Sequence, residues 1–234
     1  MTRLETIFLD AGGVLVFPNW YRVSETLRAH GVHVGPDALA AAEPHAKRHL
    51  DQTRTIQATN DTKRGWLYFN LILERAGVAA DAATDAALAE LHAYHQASNL
   101  WELVPGDVRP SLRAIRELGL RTAIVSNANG TFCAAAERLG ITPLVTCVLD
   151  SQDEGVEKPD PRLFEIALER SGADRETTIH VGDIYEVDVV GARAAGIRPV
   201  LLDTAGLYPD ADCHRVQSLA ALLEAVQDGL FGRI

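Results

Sequence analysis

Residues 7–15 read Ile-Phe-Leu-Asp-Ala-Gly-Gly-Val-Leu, an apolar run that meets a carboxylate and then two glycines. The segment 4–9 predicts a buried parallel strand that ends just before Asp10. Open α/β sheets bind ligands at the carboxyl ends of their strands, and Gly12 and Gly13 let the backbone approach a ligand closely. The stretch therefore indicates a functional carboxylate at a strand end, with a simple cap of the next turn as the alternative for an isolated Asp.

Four further apolar runs have the composition of buried strands, and helical patterns lie between them. The five predicted strands span 4–9, 121–126, 144–149, 178–182 and 198–202. The predicted helices span 108–118, 130–139, 161–171 and roughly 186–195, and a glycine follows each of them. The third helix begins with Asp160 as its N-cap and Pro161 in the first position. This alternation predicts an α/β fold, a doubly wound, Rossmann-like parallel sheet.

The stretch 19–100 interrupts the alternation, because it is rich in Ala, Leu, His and Arg and has no strand pattern. Two helical faces are visible in it, one of which ends at Gly77. Their members are Trp66, Phe69, Asn70 and Leu73 on the first face and Leu88, Leu91 and His95 on the second. We therefore predict a core domain made of 1–18 and 101–234, with 19–100 as an inserted helical domain.

The charge balance limits the classes of partner. The 234-residue chain has a formal net charge of −10 and a hydrophobic content of 47%. Nucleic acids and anionic membrane surfaces are bound by basic patches, so both are disfavoured as partners. A small anionic substrate is compatible with this charge, because a bound cation and a few basic groups reverse the field inside a cleft.

Cysteine usage and the amino-terminal segment predict a cytoplasmic protein. Cys133, Cys147 and Cys213 are widely spaced, which is typical of reduced thiols. The chain starts without the basic-then-apolar layout of a signal peptide, and its apolar runs are shorter than a membrane span.

Polar residues at the ends of the other predicted strands extend the candidate site. Ser126 ends the strand 121–126, and Asn127 opens the following turn. A hydroxyl and backbone N–H groups at such a turn bind phosphate oxygens, with a helix cap as the alternative for Ser126. Lys158 precedes Pro159, which favours an extended backbone. Its ammonium is suited to neutralise a nucleophile and phosphoryl oxygens, although a lone Lys is usually solvated.

Two more carboxylates, Asp183 and Asp188, follow the strand 178–182. If they meet Asp10, carboxylates about 4 Å apart repel each other by roughly 4 kcal/mol at an effective dielectric constant near 20. A divalent cation removes this cost. Mg²⁺ is the cation we expect, because it prefers oxygen ligands and keeps waters that a phosphate can replace.

Together, the segments around Asp10, Ser126, Lys158 and Asp183 resemble the four motifs of the haloacid dehalogenase-like (HAD) hydrolase superfamily. The resemblance runs through nearly the whole chain. It implies a Rossmann-like core with the insertion as a C1-type cap that closes over the site. It also implies a Mg²⁺-dependent phosphatase that hydrolyses a small phosphorylated metabolite through an aspartyl-phosphate.

The resemblance assigns a role to each motif residue. Asp10 is the nucleophile, and Ser126 and Lys158 act with it in catalysis. Asp10, Asp183 and the backbone carbonyl of Gly12 are metal ligands, and Asp188 belongs to the metal site by orienting a metal-bound water or Lys158. The residues assigned to the substrate are Ser126, Asn127, Lys158 and Gly12.

Gly12 departs from the common family pattern, which has a second Asp at this position as the general acid and base. Such a group contributes roughly 10² to 10⁴-fold to a rate. Three hypotheses follow: a phosphatase for good leaving groups or with a borrowed acid, a C–P hydrolase of the phosphonoacetaldehyde type with Lys47 or Lys63 as a Schiff base, or a phosphate-ligand binding protein without turnover. We favour the phosphatase, because a non-catalytic binder needs no nucleophile, and we rank a dehalogenase low, because such enzymes do not use the Asp183/Asp188 metal motif.

Overall fold

A computed structural model of the protein describes residues 3–51 and 61–233; the side chains of 61–64 and of Trp66 lie outside the described part. The chain divides into two compact units, one formed by Met1–Phe17 with Val104–Ile234 and the other by Pro18–Leu103. The unit ends therefore fall one residue before and three residues after the predicted ends of the insertion. That the second unit acts as a cap stays a prediction.

The first unit contains a six-stranded parallel sheet, and a two-stranded sheet lies where the chain passes between the units. In chain order the strands are β1 (Thr6–Leu9), β2 (Phe17–Pro18), β3 (Trp101–Leu103), β4 (Arg121–Ser126), β5 (Cys147–Asp150), β6 (Thr178–Gly182), β7 (Arg198–Leu202) and β8 (His214–Val216). The large sheet has the order β5-β4-β1-β6-β7-β8, and β2 pairs with β3. The predicted doubly wound α/β fold is confirmed.

The sheet differs from its prediction at both edges. β5 begins at Cys147 rather than at residue 144, because Thr142–Leu144 form a 3₁₀ turn. β8 was not predicted, since only Val216 of its three residues is buried and the segment has no apolar run.

β1 is an inner strand, and all four of its residues are buried. In the ladder, Leu9 lies beside Ile124 of β4 and Val181 of β6. Parallel strands in this register end at the same edge of the sheet. The residues that follow β1, β4 and β6 therefore emerge close together.

The second unit is a helical bundle with its own apolar core. Its helices are α1 (Trp20–Ala29), α2 (Pro36–Leu50), α3 (Asp61–Arg75) and α4 (Ala82–Ser98). The predicted face of α3 is wrong at Asn70, which is exposed, whereas Tyr68, Ile72 and Leu73 are buried. Phe69 is half-buried, and Trp66 lies outside the described side chains.

The second predicted helical face is confirmed for α4. Leu88 and Leu91 are buried, and His95 is half-buried. Nδ1 of His95 accepts a hydrogen bond from the backbone N–H of Leu100 at 3.1 Å. Burial lowers the pKa of His95 to about 4, with a smaller contribution from His92, so the ring is neutral and structural at pH 7.

The helices of the first unit cover the sheet. They are α5 (Val108–Glu117), α6 (Phe132–Arg138), α7 (Ser151–Glu154), α8 (Pro161–Ser171), α9 (Val190–Ala194) and α10 (Leu219–Gln227). α8 has the predicted caps: the Asp160 side chain accepts from the N–H of Arg162, and Gly172 ends the helix with a φ of 62°. The predicted helix 186–195 is interrupted at its start, because Tyr185–Val189 form a π-helical turn before α9.

None of the helices within the described ranges combines the length and the apolar composition that crossing a bilayer requires. The three cysteines are free, half-buried thiols. Burial raises the pKa of each of them, so they are protonated at neutral pH and poor nucleophiles.

Candidate active site

The candidate site lies at the carboxyl edge of the parallel sheet. Asp10 directly follows β1, Ser126 is the last residue of β4, and Asp183 directly follows β6. Asp188 lies in the π-helical turn after β6, and Lys158 lies in the loop before α8. The structure brings Asp10, Lys158, Asp183 and Asp188 into one cluster.

Lys158 is the centre of this cluster. Its side chain is fully buried, and its Nζ lies 2.9 Å from Oδ1 of Asp10 and 2.7 Å from Oδ1 of Asp188. Burial by itself would lower the pKa of Lys158, but the two carboxylates outweigh it and raise the pKa above its usual value. The ammonium is therefore charged and held in one place.

Asp188 receives three hydrogen bonds. Its Oδ1 accepts from Lys158 Nζ and lies 3.0 Å from Nε2 of His180, and its Oδ2 accepts from the backbone N–H of Ile184 at 3.1 Å. Burial would raise the pKa of Asp188, but Lys158 and His180 hold it well below its usual range. Asp188 is thus an anion whose place is set by its donors.

The close approach of Asp188 to β6 explains the glycine at position 182. A Cβ on Gly182 would overlap with Cγ and Cβ of Asp188, so even a methyl group has no room there. We expect Gly182→Ala to displace Asp188 from Lys158 and to lower kcat by about 10²-fold, comparable to the loss of an outer partner of a metal site. The measurement is the turnover of a good phosphate ester.

Gly106→Ala is the matched control for this prediction, because nothing lies within 4 Å of a Cβ at Gly106. The control should keep its activity. A Gly182→Ala protein with native kcat would show that Asp188 does not need its present position.

Asp10 has a slightly exposed carboxylate that two hydrogen-bond donors hold in place. Its side chain is 13% exposed, and its Oδ1 accepts from the N–H of Ala11 at 2.7 Å and from Lys158. Burial raises its pKa, Lys158 lowers it, and Asp188 and Asp183 raise it again, to about 7. The carboxyl of Asp10 is therefore only partly ionised at neutral pH as long as no cation balances the cluster.

The cluster has the donor set and the charge for a divalent cation. Asp10, Asp183 and Asp188 each offer an oxygen, and these oxygens lie within 4.8 Å of one another. When all three carboxyl groups are ionised, as a bound cation favours, they and the one ammonium leave a net charge of −2 in a largely buried place. Oxygen donors and a charge of −2 fit Mg²⁺.

Asn127 contacts Lys158 rather than facing an open space. Its Oδ1 accepts from the backbone N–H of Lys158 at 2.7 Å, and its Nδ2 donates to the carbonyl of Lys158 at 2.9 Å. Both ends of the carboxamide are therefore engaged with the main chain of Lys158. The amide thus fixes the loop that carries the lysine, and the contact of Asn127 with substrate stays a prediction.

Ser126 is buried at the carboxyl end of β4. Its hydroxyl donates a long hydrogen bond of 3.4 Å to the carbonyl of Asn127, and it is only 3% exposed. A hydroxyl with so weak a partner is free to turn toward a better acceptor. The geometry is compatible with the predicted contact to a phosphate oxygen.

Sequence reasoning missed Asp150, which holds the loop after β4. The residue pairs with Ser126 in the ladder, and its carboxylate accepts from the N–H groups of Gly130, Phe132 and Gln152. The available signal was an Asp at a strand end directly before a helix, which is the pattern of an N-cap. Asp150 is a structural residue of the loop beside the site.

Sequence reasoning also missed His180, the third residue of β6. The imidazole is fully buried and contacts Asp188. A histidine inside an otherwise apolar strand was the signal.

Gly12 lies in a tight loop. The backbone N–H groups of Leu15 and Val16 both donate to the carbonyl of Ala11, and the N–H of Gly13 donates to the carbonyl of Val16.

The charged groups that act on the pKa of Asp10 are Lys158, Asp188 and Asp183. Lys158 and Asp188 are already hydrogen-bonded to each other, so neither is a spare proton donor for a leaving group.

The two lysines considered for Schiff-base chemistry belong to the helical unit. Nζ of Lys47 lies 2.7 Å from Oε1 of Glu43, which also accepts from the hydroxyl of Tyr68 at 2.8 Å. This Nζ is thus engaged in an ion pair, whereas a Schiff-base lysine needs an amine that can reach the substrate. The side chain of Lys63 lies outside the described residues.

Comparison with known proteins places these motifs in a family. A model of the haloacid dehalogenase-like hydrolases matches residues 4–196. The haloacid dehalogenase-like hydrolase domain-containing protein 3 of Bos taurus is 32% identical over 211 residues, which cover 85% of this chain and 83% of that protein. The ribulose-1,5-bisphosphate 5-phosphatase of Halopiger xanaduensis is 35% identical over 177 residues, which cover 71% and 70% of the two chains.

A solved structure supports the fold. The magnesium-bound crystal structure of the HAD-hydrolase YfnB of Bacillus subtilis has a TM-score of 0.69 to this chain and 16% sequence identity. The match covers 96% of this chain and 99% of YfnB.

Proposed function

The chain belongs to the haloacid dehalogenase-like hydrolase family, and from this premise we propose that it is a Mg²⁺-dependent phosphatase that hydrolyses a small phosphorylated metabolite through an aspartyl-phosphate. The observation that carries the proposal is the contact of 2.9 Å between the buried ammonium of Lys158 and Oδ1 of Asp10. A relative named as a ribulose-1,5-bisphosphate 5-phosphatase supports the same class of reaction.

In the proposed reaction, a carboxylate oxygen of Asp10 attacks the phosphorus of the ester. The bond from phosphorus to the ester oxygen breaks, and the phosphoryl group stays on Asp10. The ester oxygen leaves with the bonding electron pair and takes a proton from solvent water to become the alcohol. Water then attacks the aspartyl-phosphate, which releases inorganic phosphate and restores the carboxylate.

The residues around Asp10 support this chemistry by position and charge. Lys158 favours the ionised form of Asp10 and neutralises the phosphoryl oxygens as charge shifts in the transition state. Ser126 and backbone N–H groups after β4 are proposed to bind phosphoryl oxygens. Asn127 acts on the substrate through Lys158, whose main chain it holds.

A cation fits the cluster, and its proposed ligands are Asp10, Asp183 and the carbonyl of Gly12, with Asp188 in the same site. When bound, Mg²⁺ supplies positive charge to the phosphoryl oxygens and offsets the repulsion among the carboxylates.

We further propose a cytoplasmic location, which the three free cysteines fit.

The absence of a carboxylate at Gly12 predicts which phosphate esters react fastest. Without an acid two residues after Asp10, the first step should depend steeply on the stability of the leaving group, so aryl, acyl and anomeric phosphates should react much faster than alkyl phosphates. The second step lacks its usual base, so phosphorylated enzyme should accumulate and product should appear in an initial burst. The measurement is phosphate release from a panel of esters with Mg²⁺, plotted as log rate against leaving-group pKa.

Gly12→Asp is the informative variant for this prediction. It should speed alkyl phosphates more than aryl ones, by up to about 10²-fold, because general acid help matters most for poor leaving groups. A flat plot for the native protein, or an equal gain for all esters in the variant, would mean that another residue already supplies the acid. Borohydride trapping of the enzyme with a phosphonoaldehyde would instead favour C–P cleavage.

A further inference from the structure

His180 lies within β6, and the proposed reaction gives it no role. Its ring packs edge-on against Phe164, with 4.8 Å between the ring centroids, and its Nε2 lies 3.0 Å from Oδ1 of Asp188. Its Nδ1 is buried and has no hydrogen-bond partner among the residues that the structure describes. A leucine or phenylalanine would fill this apolar place without burying a lone acceptor, so the contact to Asp188 is what the imidazole adds.

The contact defines which nitrogen carries the proton. A carboxylate oxygen only accepts hydrogen bonds. Nε2 of His180 is therefore the donor to Asp188, and Nδ1 has no acceptor for a proton among the described residues.

His180 and Lys158 meet on the same oxygen. Oδ1 of Asp188 accepts from both of them, at 3.0 Å and 2.7 Å, while Oδ2 accepts from Ile184. If the imidazole donor is removed, the carboxylate loses one of the three contacts that set its rotation. The ammonium of Lys158 then loses the fixed position of one of its two carboxylate partners.

We propose that His180 is a positioning residue, which holds Asp188 through its Nε2–H and thereby keeps the ammonium of Lys158 against Asp10. The inference rests on the proposed function, because it gives His180 a part in the reaction of Asp10. It also assigns Asp188 mainly to Lys158, since its oxygens already receive three donors.

The first experiment compares His180→Leu with His180→Gln, whose amide nitrogen lies close to the place of Nε2. His180→Leu should lower kcat by about 10- to 100-fold and leave KM and the Mg²⁺ concentration for half activation within about threefold of native values. His180→Gln should recover most of the loss. The matched control is Thr178→Val on the same face of β6, which removes the hydrogen bond from the buried Thr178 hydroxyl to the backbone carbonyl of Asp174 and leaves the three donors of Asp188 unchanged.

A native kcat in His180→Leu would overturn the proposal. Equal losses in His180→Leu, His180→Gln and Thr178→Val would overturn it as well, because they would report damage to the strand. A double mutant gives a second readout: in an Asp188→Asn background, His180→Leu should cause little further loss, since it acts through Asp188. Additive losses would contradict this.

Nuclear magnetic resonance of the imidazole nitrogens tests the contact without activity. We expect a protonated Nε2 and an unprotonated Nδ1 for His180 in the native protein. An unprotonated Nε2 would overturn the proposal. A native protein with this tautomer but no phosphatase activity would instead refute the proposed function and leave the contact in place.

Discussion

Asp10→Asn should abolish turnover while the protein stays folded. The amide has nearly the shape of the carboxylate but lacks the attacking oxygen anion, so kcat should fall by about 10⁴-fold or more, the size seen when covalent catalysis is removed. The measurement is phosphate release from an aryl phosphate with Mg²⁺. A near-native rate, after deamidation has been excluded by mass spectrometry, would refute Asp10 as the nucleophile.

The pKa of Asp10 also predicts the direction in which Asp10→Asn changes the stability of the metal-free protein. The pKa of Asp10 is about 7 in the metal-free fold, above its ordinary value of 3.8. Its contribution to stability is therefore present below pH 3.8 and is lost as the pH rises through 7. Metal-free Asp10→Asn avoids this loss and should have a Tm at pH 8 equal to or above that of the metal-free native protein. A clearly lower Tm would show that the carboxylate stabilises the fold.

Asp183→Ala is expected to have the second largest effect. Removal of this carboxylate leaves Asp10 and Asp188 against Lys158, a net charge of −1, which binds a divalent cation poorly. Activity should fall by at least about 10²-fold, and calorimetry should show weaker Mg²⁺ binding, a readout that does not depend on turnover. Asp228→Ala, which removes an exposed carboxylate of the same unit, is the control and should behave as native.

Chelation is the companion experiment. EDTA should inactivate the native protein, and added Mg²⁺ should restore its activity. Asp183→Ala should gain little from Mg²⁺ at concentrations that saturate the native protein. Full activity of a thoroughly demetallated native sample would refute the metal-dependent reaction.

The sequence was sufficient to predict the core fold, because the information is local. Apolar runs bounded by glycines and an N-cap at Asp160 are read within a few residues of each other, and five of the six strands of the large sheet follow from them. β8 escaped prediction because two of its three residues are exposed, and only pairing with β7 makes it a strand. The face of α3 was misjudged at Asn70, because the position of the apolar stripe depends on which neighbouring helix it meets.

By itself, the sequence determined which side chains reach the carboxyl edge of the sheet, since a residue that directly follows a buried strand has nowhere else to lie. Asp10 and Asp183 are of this kind, and Ser126 is the last residue of its own strand at the same edge. Only the tertiary structure decided how Lys158, Asn127, His180 and Asp188 are joined, because these contacts link residues 8 to 31 positions apart in the chain. Hydrogen bonds of about 3 Å depend on the relative placement of separate elements, and no pattern of neighbouring residues encodes that placement.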